Sequence, residues 1–282
     1  MDKGLLARIA AYIVFVFIVL SLYCFFLYTH PRRIVSPVTP KDFGLEYEPV
    51  TIRTADGIDL DAWYIPNSGS RKSILVCHGY PADKGDILSG ISFLAADYTL
   101  LLFDFRAMGK SQGSVSTAGS REQRDFQAAA AFLKKKGFKD FGVFGFSMGA
   151  AVALKASGPE VRCIVADSSF ADLNTVLVMI FKEFGFLRYP LILLVRLWTR
   201  LFLGIDIARD SPERSIARLT IPVLLIHSEK DSLIPVEQAY RLKRAYPPSS
   251  LWVVPGADHG RQRAEQEGEY RQRIKGFFQE HL

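Results

Sequence analysis

Only 3 cysteines occur among the 282 residues, and none stands in a C-x-x-C pair or at a metal-binding spacing from histidine. The sequence therefore carries no metal signature. Cys24 falls in an apolar N-terminal run, while Cys77 and Cys163 fall in segments that read as core strands. These thiols select no redox compartment, because a domain of this size folds without a disulfide in any of them. Concentrated charge is also missing. The net charge of +6 is dispersed and no basic stripe is interleaved with aromatics, which argues against a nucleic-acid partner and leaves attraction to an anionic membrane surface open. Residues 9–28 have no charge at all, and Ser21 is their one clearly polar member.

About twenty helical residues span about 30 Å, the thickness of a bilayer's hydrocarbon core. The apolar run exceeds an ordinary signal-peptide h-region, and Thr29-His30-Pro31-Arg32-Arg33 after it holds no A-x-A-like cleavage site. Residues 1–30 thus read as a retained transmembrane anchor. Bulky Tyr23 before Cys24 speaks against a lipoprotein cysteine. Lys3 and Arg8 flank one end, and Arg32, Arg33 and Lys41 the other, so the charge rule leaves the orientation open.

Residues 31–49, with Pro31, Pro37, Pro40 and Pro49, read as a tether that is not a regular helix. Residues 50–282, in a chain with 49% hydrophobic residues, suffice for one large domain. Residues 50–54 and 60–65 alternate around Asp56-Gly57 as a hairpin. Apolar runs at 73–77, 100–104, 141–144, 161–166, 221–227 and 251–254 read as buried strands, and 121–136, 150–155 and 270–281 as helices. Continuous apolar strands alternating with helices predict a mostly parallel α/β sheet covered on both faces, with the hairpin as an antiparallel edge.

Gly145-Phe146-Ser147-Met148-Gly149 lies between the 141–144 strand and an Ala-rich helix start. A G-x-S-x-G run on a strand-to-helix turn is the pattern of a nucleophile elbow, where small flanking residues let a strained turn lift the hydroxyl clear of the sheet. Two further segments follow later strands: His227-Ser228-Glu229-Lys230-Asp231 and Gly256-Ala257-Asp258-His259-Gly260.

On these three motifs, in this order, the chain resembles the α/β-hydrolase superfamily over residues 45–282, and most closely its membrane-tethered serine hydrolases, catalogued beside serine aminopeptidases. The resemblance implies a twisted, mostly parallel α/β-hydrolase sheet with an antiparallel N-terminal hairpin and a helical cap insertion. It implies Ser147 as nucleophile, His259 as base and Asp231 as the acid that orients the histidine. The backbone N–H groups of Met148 and Tyr80 would form the oxyanion hole, since Pro81 has no N–H. Asp258 and Asp167 are rivals for the acid. Asp258 adjoins the histidine in sequence, and Asp167 reads instead as a cap, with Ser168 and Ser169, for the segment that follows. His78 and His227 read as structural. The run from His78 to Pro81 also resembles the H-G-x-P of epoxide hydrolases, which use an aspartate where this chain has Ser147. Ala107 replaces the first glycine of the superfamily's D-x-R-G-x-G-x-S run.

The insertion, about 171–210, contains two apolar helix candidates, 175–181 and 191–198, joined through Gly185 and Pro190. They read as packed cap helices. Arg188, Arg196 and Arg200 beside Leu, Phe and Trp leave contact with a bilayer open. The expected activity is that of a membrane-anchored serine hydrolase cleaving esters or thioesters of small or lipid-like acyl substrates, with no cofactor and no metal. A serine peptidase is the alternative within the enzymes, although no acidic cluster for a substrate amine is evident. A catalytically silent binding or scaffold protein is the alternative outside them.

Overall fold

The computed structural model describes residues 2–207 and 209–282. Eight strands form one sheet in the order β1-β2-β4-β3-β5-β6-β7-β8. They are β1 Glu48–Arg53, β2 Asp59–Ile65, β3 Ser73–Cys77, β4 Thr99–Phe103, β5 Phe141–Phe146, β6 Val161–Asp167, β7 Val223–Ser228 and β8 Ser250–Val254. The hairpin β1-β2 is antiparallel, β2 joins β4 antiparallel, and every pairing from β4 to β8 is parallel. The expected parallel sheet with an antiparallel edge is therefore present.

The helices are α1 Lys3–Thr29, α2 Lys84–Ile91, α3 Glu122–Lys135, α4 Met148–Ala156, α5 Leu173–Ile180, α6 Arg188–Leu203, α7 Pro212–Ile216, α8 Glu237–Ala245, α9 Gln262–Glu265 and α10 Glu267–His281. Continuous apolar strands need cover on both faces, and two core clusters supply it. One packs Phe126, Leu133, Val152, Leu154 and Leu242 from α3, α4 and α8 against one face. The other packs Ile87, Leu88, Tyr270, Ile274 and Phe278 from α2 and α10 against the opposite face.

Between β6 and β7 lies a helical insertion of α5, a 3-10 turn over Lys182–Leu187, α6 and α7. Gly185 supplies the kink in that turn, at φ 54°. Pro190 does not help to join the helices as the sequence suggested. It sits in the first turn of α6, where a helix has no use for the missing N–H. The buried side of α6 packs with Leu177 and Phe181 of the insertion and with Cys24 of α1.

Residues 31–49 are tied to the domain by long-range bonds. Arg33 donates to the carbonyls of Gly109, Ser111 and Gly113, and Ser36 N–H donates to Asp83 at 2.8 Å. Pro40–Phe43 form one 3-10 turn.

Candidate active site

In a parallel sheet the loops leaving the carboxyl ends of the strands converge on one crevice. Here those ends carry His78-Gly79 after β3, Ser147 after β5, Asp231 after β7 and His259 after β8.

Ser147 occupies the single residue between β5 and α4 with φ 52° and ψ −116°. That region is strained for any residue with a Cβ and marks a turn held in place by its surroundings. Two anchors hold it: Ser147 N–H donates to Asp167 O at 2.8 Å, and Ser147 O accepts from Ala151 N at 3.1 Å. The flanking glycines are required by close approach. A Cβ on Gly145 would lie 2.6 Å from the Ala150 backbone, and one on Gly149 would lie 2.5 Å from His78 O.

Ser147 and Met148 open onto a cavity of about 150 Å³ whose wall also includes Tyr80, Leu177, Val195 and Ile234. Met148 is the first residue of α4, so its N–H is one of the donors a helix start leaves free. Among the described residues neither this N–H nor that of Tyr80 has an acceptor. Both sequence-predicted oxyanion donors therefore belong to residues that line the same cavity as Ser147.

His259 Nδ1 lies 2.6 Å from Asp231 Oδ2. The carboxylate is itself fixed, since its Oδ1 accepts from Leu233 N at 3.0 Å and Ile234 N at 2.6 Å. Asp231 has no exposed side-chain surface and the imidazole little. The Phe146 ring lies tilted at 39° to the imidazole with centroids 5.3 Å apart, spanning from the Ser147 turn to the His259 loop. Among the described residues, no hydrogen bond joins Ser147 Oγ to the imidazole; such contacts commonly tighten only with substrate bound.

The two rival carboxylates are engaged elsewhere. Asp258 accepts from Ser232 N–H and from the backbone N–H of His259, bonds that hold its carboxyl below the usual range. Asp167 does not cap the next segment, which was the sequence expectation; Asp172 caps α5. Asp167 is fully buried, accepting from Tyr270 Oη at 2.7 Å, from Ser168 Oγ at 3.0 Å and from Gln262 Nε2. Burial pushes its carboxyl up. Tyr270 and Gln262 come from beyond β8, so no local signal announced this network.

His78 and His227 are buried. Phe105 N–H donates to His78 Nε2 at 2.9 Å, so His78 Nδ1 carries the proton it gives to Gly79 O at 2.7 Å. His227 Nε2 donates to Ile234 O at 2.8 Å. Burial holds both imidazoles below their usual pKa of 6.5. The sign follows directly: the unfolded chain takes up these protons first, so stability present above about pH 6.5 is lost as the pH falls below it. His227→Gln, whose amide can still donate to Ile234 O, is expected to flatten the acid limb by up to about 1.4 kcal/mol per pH unit. Chemical unfolding at graded pH checks this, and an unchanged limb would refute it.

Other groups stiffen the rim. Arg106 is clamped between Asp125, at 2.6 Å, and Asp56, at 2.8 Å. Ala107 beside it has φ 62°, a left-handed conformation that costs a non-glycine residue about 1 kcal/mol and accounts for a glycine in the superfamily's motif. Buried Glu122 accepts from Ser116 Oγ, from Thr117 N–H and Oγ1 and from Gly119 N–H. It thereby shapes the loop that carries Ser116, Thr117 and Ala118 to the cavity wall. Burial pushes the Tyr80 phenol up to about 12.

Known proteins match this arrangement. A model of the alpha/beta hydrolase fold matches residues 72–190. The structure is similar to that of the Pyrococcus furiosus esterase Pf2001, with 33% sequence identity and a TM-score of 0.75 over 90% of this chain and 98% of that one. Among curated relatives, the chain is 27% identical over 245 residues to the uncharacterized protein YqkD of Bacillus subtilis, covering 83% of this chain and 80% of that protein. It is also 27% identical over 173 residues to the uncharacterized membrane protein YNL320W of Saccharomyces cerevisiae, covering 55% and 60%. The chain belongs to the α/β-hydrolase fold family, and its esterase neighbours support a hydrolase acting on a small-molecule substrate.

Proposed function

We propose that this chain is a membrane-anchored serine hydrolase that cleaves carboxylic esters or thioesters of apolar acyl groups through an acyl-enzyme on Ser147. The observation that carries the reading is the strained Ser147 turn opening onto an apolar cavity, with an Asp231–His259 couple on the adjoining loops. Ser147 Oγ attacks the acyl carbonyl while His259 Nε2 takes its proton, and the carbonyl oxygen becomes an oxyanion facing Met148 N–H and Tyr80 N–H. Collapse of that intermediate breaks the bond to the alcohol or thiol, which leaves with the proton from His259. Water then attacks the acyl-enzyme, giving its proton to His259. The carboxylic acid departs and Ser147 regains its proton. Asp231 keeps the His259 proton on Nδ1 and stabilises the imidazolium.

Selectivity for acyl groups over peptides is supported by the wall: among the described residues lining the cavity none is Asp or Glu, so nothing there pairs with a substrate amine. Membrane attachment is supported by α1, 27 residues long, whose side chains from Leu5 to Val19 include Ile13, Val14 and Phe15 in the open. Exposed Leu193, Leu197 and Leu201 of α6 form a second apolar stripe, on the side of that helix away from its buried residues.

A fluorophosphonate probe applied to the full chain in detergent tests the reading. Labelling of the wild type that disappears in Ser147→Ala is expected. Labelling that persists in the variant, or a folded wild type that never reacts, would overturn it.

A further inference from the structure

A transmembrane anchor that merely tethers a domain leaves the carbonyls of its last turn to water or to its own capping residues. α1 does otherwise. Its Tyr28 carbonyl accepts from Tyr80 Oη at 3.0 Å, and its Thr29 carbonyl accepts from Ser116 N–H at 2.8 Å. Tyr80 and Ser116 belong to two different loops of the active-site cavity. One face of the helix is buried along Ser21, Cys24, Phe25 and Thr29, while Tyr23, Phe26 and Leu27 remain exposed. The buried face is matched by the insertion. Trp198 Nε1 donates to Ser21 Oγ at 2.9 Å, the Phe25 and Phe202 rings lie 5.7 Å apart, and the Tyr28 and Phe181 rings lie 5.8 Å apart, edge to face.

Phe25, Tyr28 and Thr29 line the same cavity as Ser147, together with Leu177 and Val195 of the insertion. α1 spans about 40 Å at 1.5 Å per residue, against about 30 Å for a bilayer's hydrocarbon core. Its last turn thus emerges at the interface, where the carbonyl of a membrane lipid lies above its apolar chain.

We propose that the last turn of α1 is one wall of the acyl-binding site, and that Phe25 and Tyr28 set the length of acyl chain accepted from a bilayer-resident ester. The inference rests on the hydrolase reading above and adds its substrate class. A cavity of about 150 Å³ is of the size that holds a benzene ring, so a longer chain needs room beyond it, and Phe25 and Tyr28 are the aromatic side chains that α1 places in its wall. The wall and the anchor are one helix, so the proposed acyl site sits where that helix meets the domain.

The test uses the full chain in detergent micelles with nitrophenyl esters of acetyl, butanoyl, octanoyl and dodecanoyl groups. Phe25→Ala is expected to raise the dodecanoyl-to-butanoyl ratio of kcat/KM by about tenfold, and Phe25→Trp to lower it by a similar factor. Shifts of opposite sign at one position do not arise from a general loss of stability. Tyr23→Leu, on the exposed side of the same helix, leaves the ratio unchanged. A second measurement needs no substitution: dodecanoic acid with a terminal diazirine, photolysed on the wild-type chain, is expected to crosslink within residues 25–29. An unchanged ratio in both Phe25 variants, or crosslinking confined to other segments, would overturn the proposal. Crosslinking at 25–29 in a chain that neither cleaves esters nor reacts with a fluorophosphonate would sustain the acyl site and refute the hydrolase reading.

Discussion

Asp231→Asn is expected to lower kcat/KM for ester hydrolysis by about ten-thousandfold, with KM little changed and the fold intact. The direction follows from which oxygen does what. Oδ1 accepts two backbone N–H groups, from Leu233 and Ile234, and Oδ2 faces His259 Nδ1 at 2.6 Å. An asparagine must keep its carbonyl oxygen toward the two donors, because its amide nitrogen there would oppose them. The NH2 group is then turned to His259, whose Nδ1 has to become an acceptor. The remaining imidazole proton moves to Nε2, on the side of Ser147, and the ring can no longer receive the serine proton. A tautomer trapped in this way is worth about four powers of ten in a serine hydrolase, about 5.5 kcal/mol of transition-state stabilisation. Steady-state kinetics beside a thermal unfolding curve check it. Activity within tenfold of wild type, combined with a collapse in Asp258→Asn or Asp167→Asn, would move the acid to one of the rivals.

The parts of this site that were legible in the sequence are those whose signal is local. The strand over 73–77 is expected and observed as Ser73–Cys77, because a strand buried on both faces must be an unbroken apolar run. Gly145 and Gly149 announce the turn because only a residue without a Cβ tolerates the backbone beside it. Helix α2 carries little local signal, because K-G-D-I-L-S-G-I holds two glycines and begins with a lysine. That lysine is buried against partners far away in sequence, with Nζ 2.6 Å from Asp104, just after β4, and 4.8 Å over the Trp63 ring of β2. Helix α8 left a usable signal in the spacing of buried Ala239 and Leu242. The cavity wall contributed by α1 left none. A long apolar helix and a long apolar helix that also lines a pocket have the same composition, and the difference lies in Tyr80 and Ser116 reaching across the fold.

Position 149 is the most sterically demanding on the Ser147 turn, and Gly149→Ala is expected to cost more stability than any other single methyl on that turn. The helix α4 starts directly under the loop after β3, and a Cβ on residue 149 would lie 2.5 Å from His78 O and closer still to Cys77 O. Neither neighbour is the free end of a flexible side chain. Both are main-chain atoms of a strand end, and His78 is fixed by bonds from Phe105 N–H and to Gly79 O. Relief therefore requires α4 to move away from β3. That motion would carry Met148 N–H away from Tyr80 N–H, separating the two donors proposed for the oxyanion. The expected loss is about 3 kcal/mol of stability together with at least about a hundredfold in kcat. Gly276→Ala is the matched comparison. Gly276 lies exposed within α10, nothing stands within 4 Å of the new Cβ, and alanine's better helix propensity should raise stability by about 0.5–1 kcal/mol. Urea unfolding of both variants beside ester kinetics separates the effects; a Gly149→Ala chain as stable and active as wild type would mean that α4 and the loop after β3 do not pack this closely in solution.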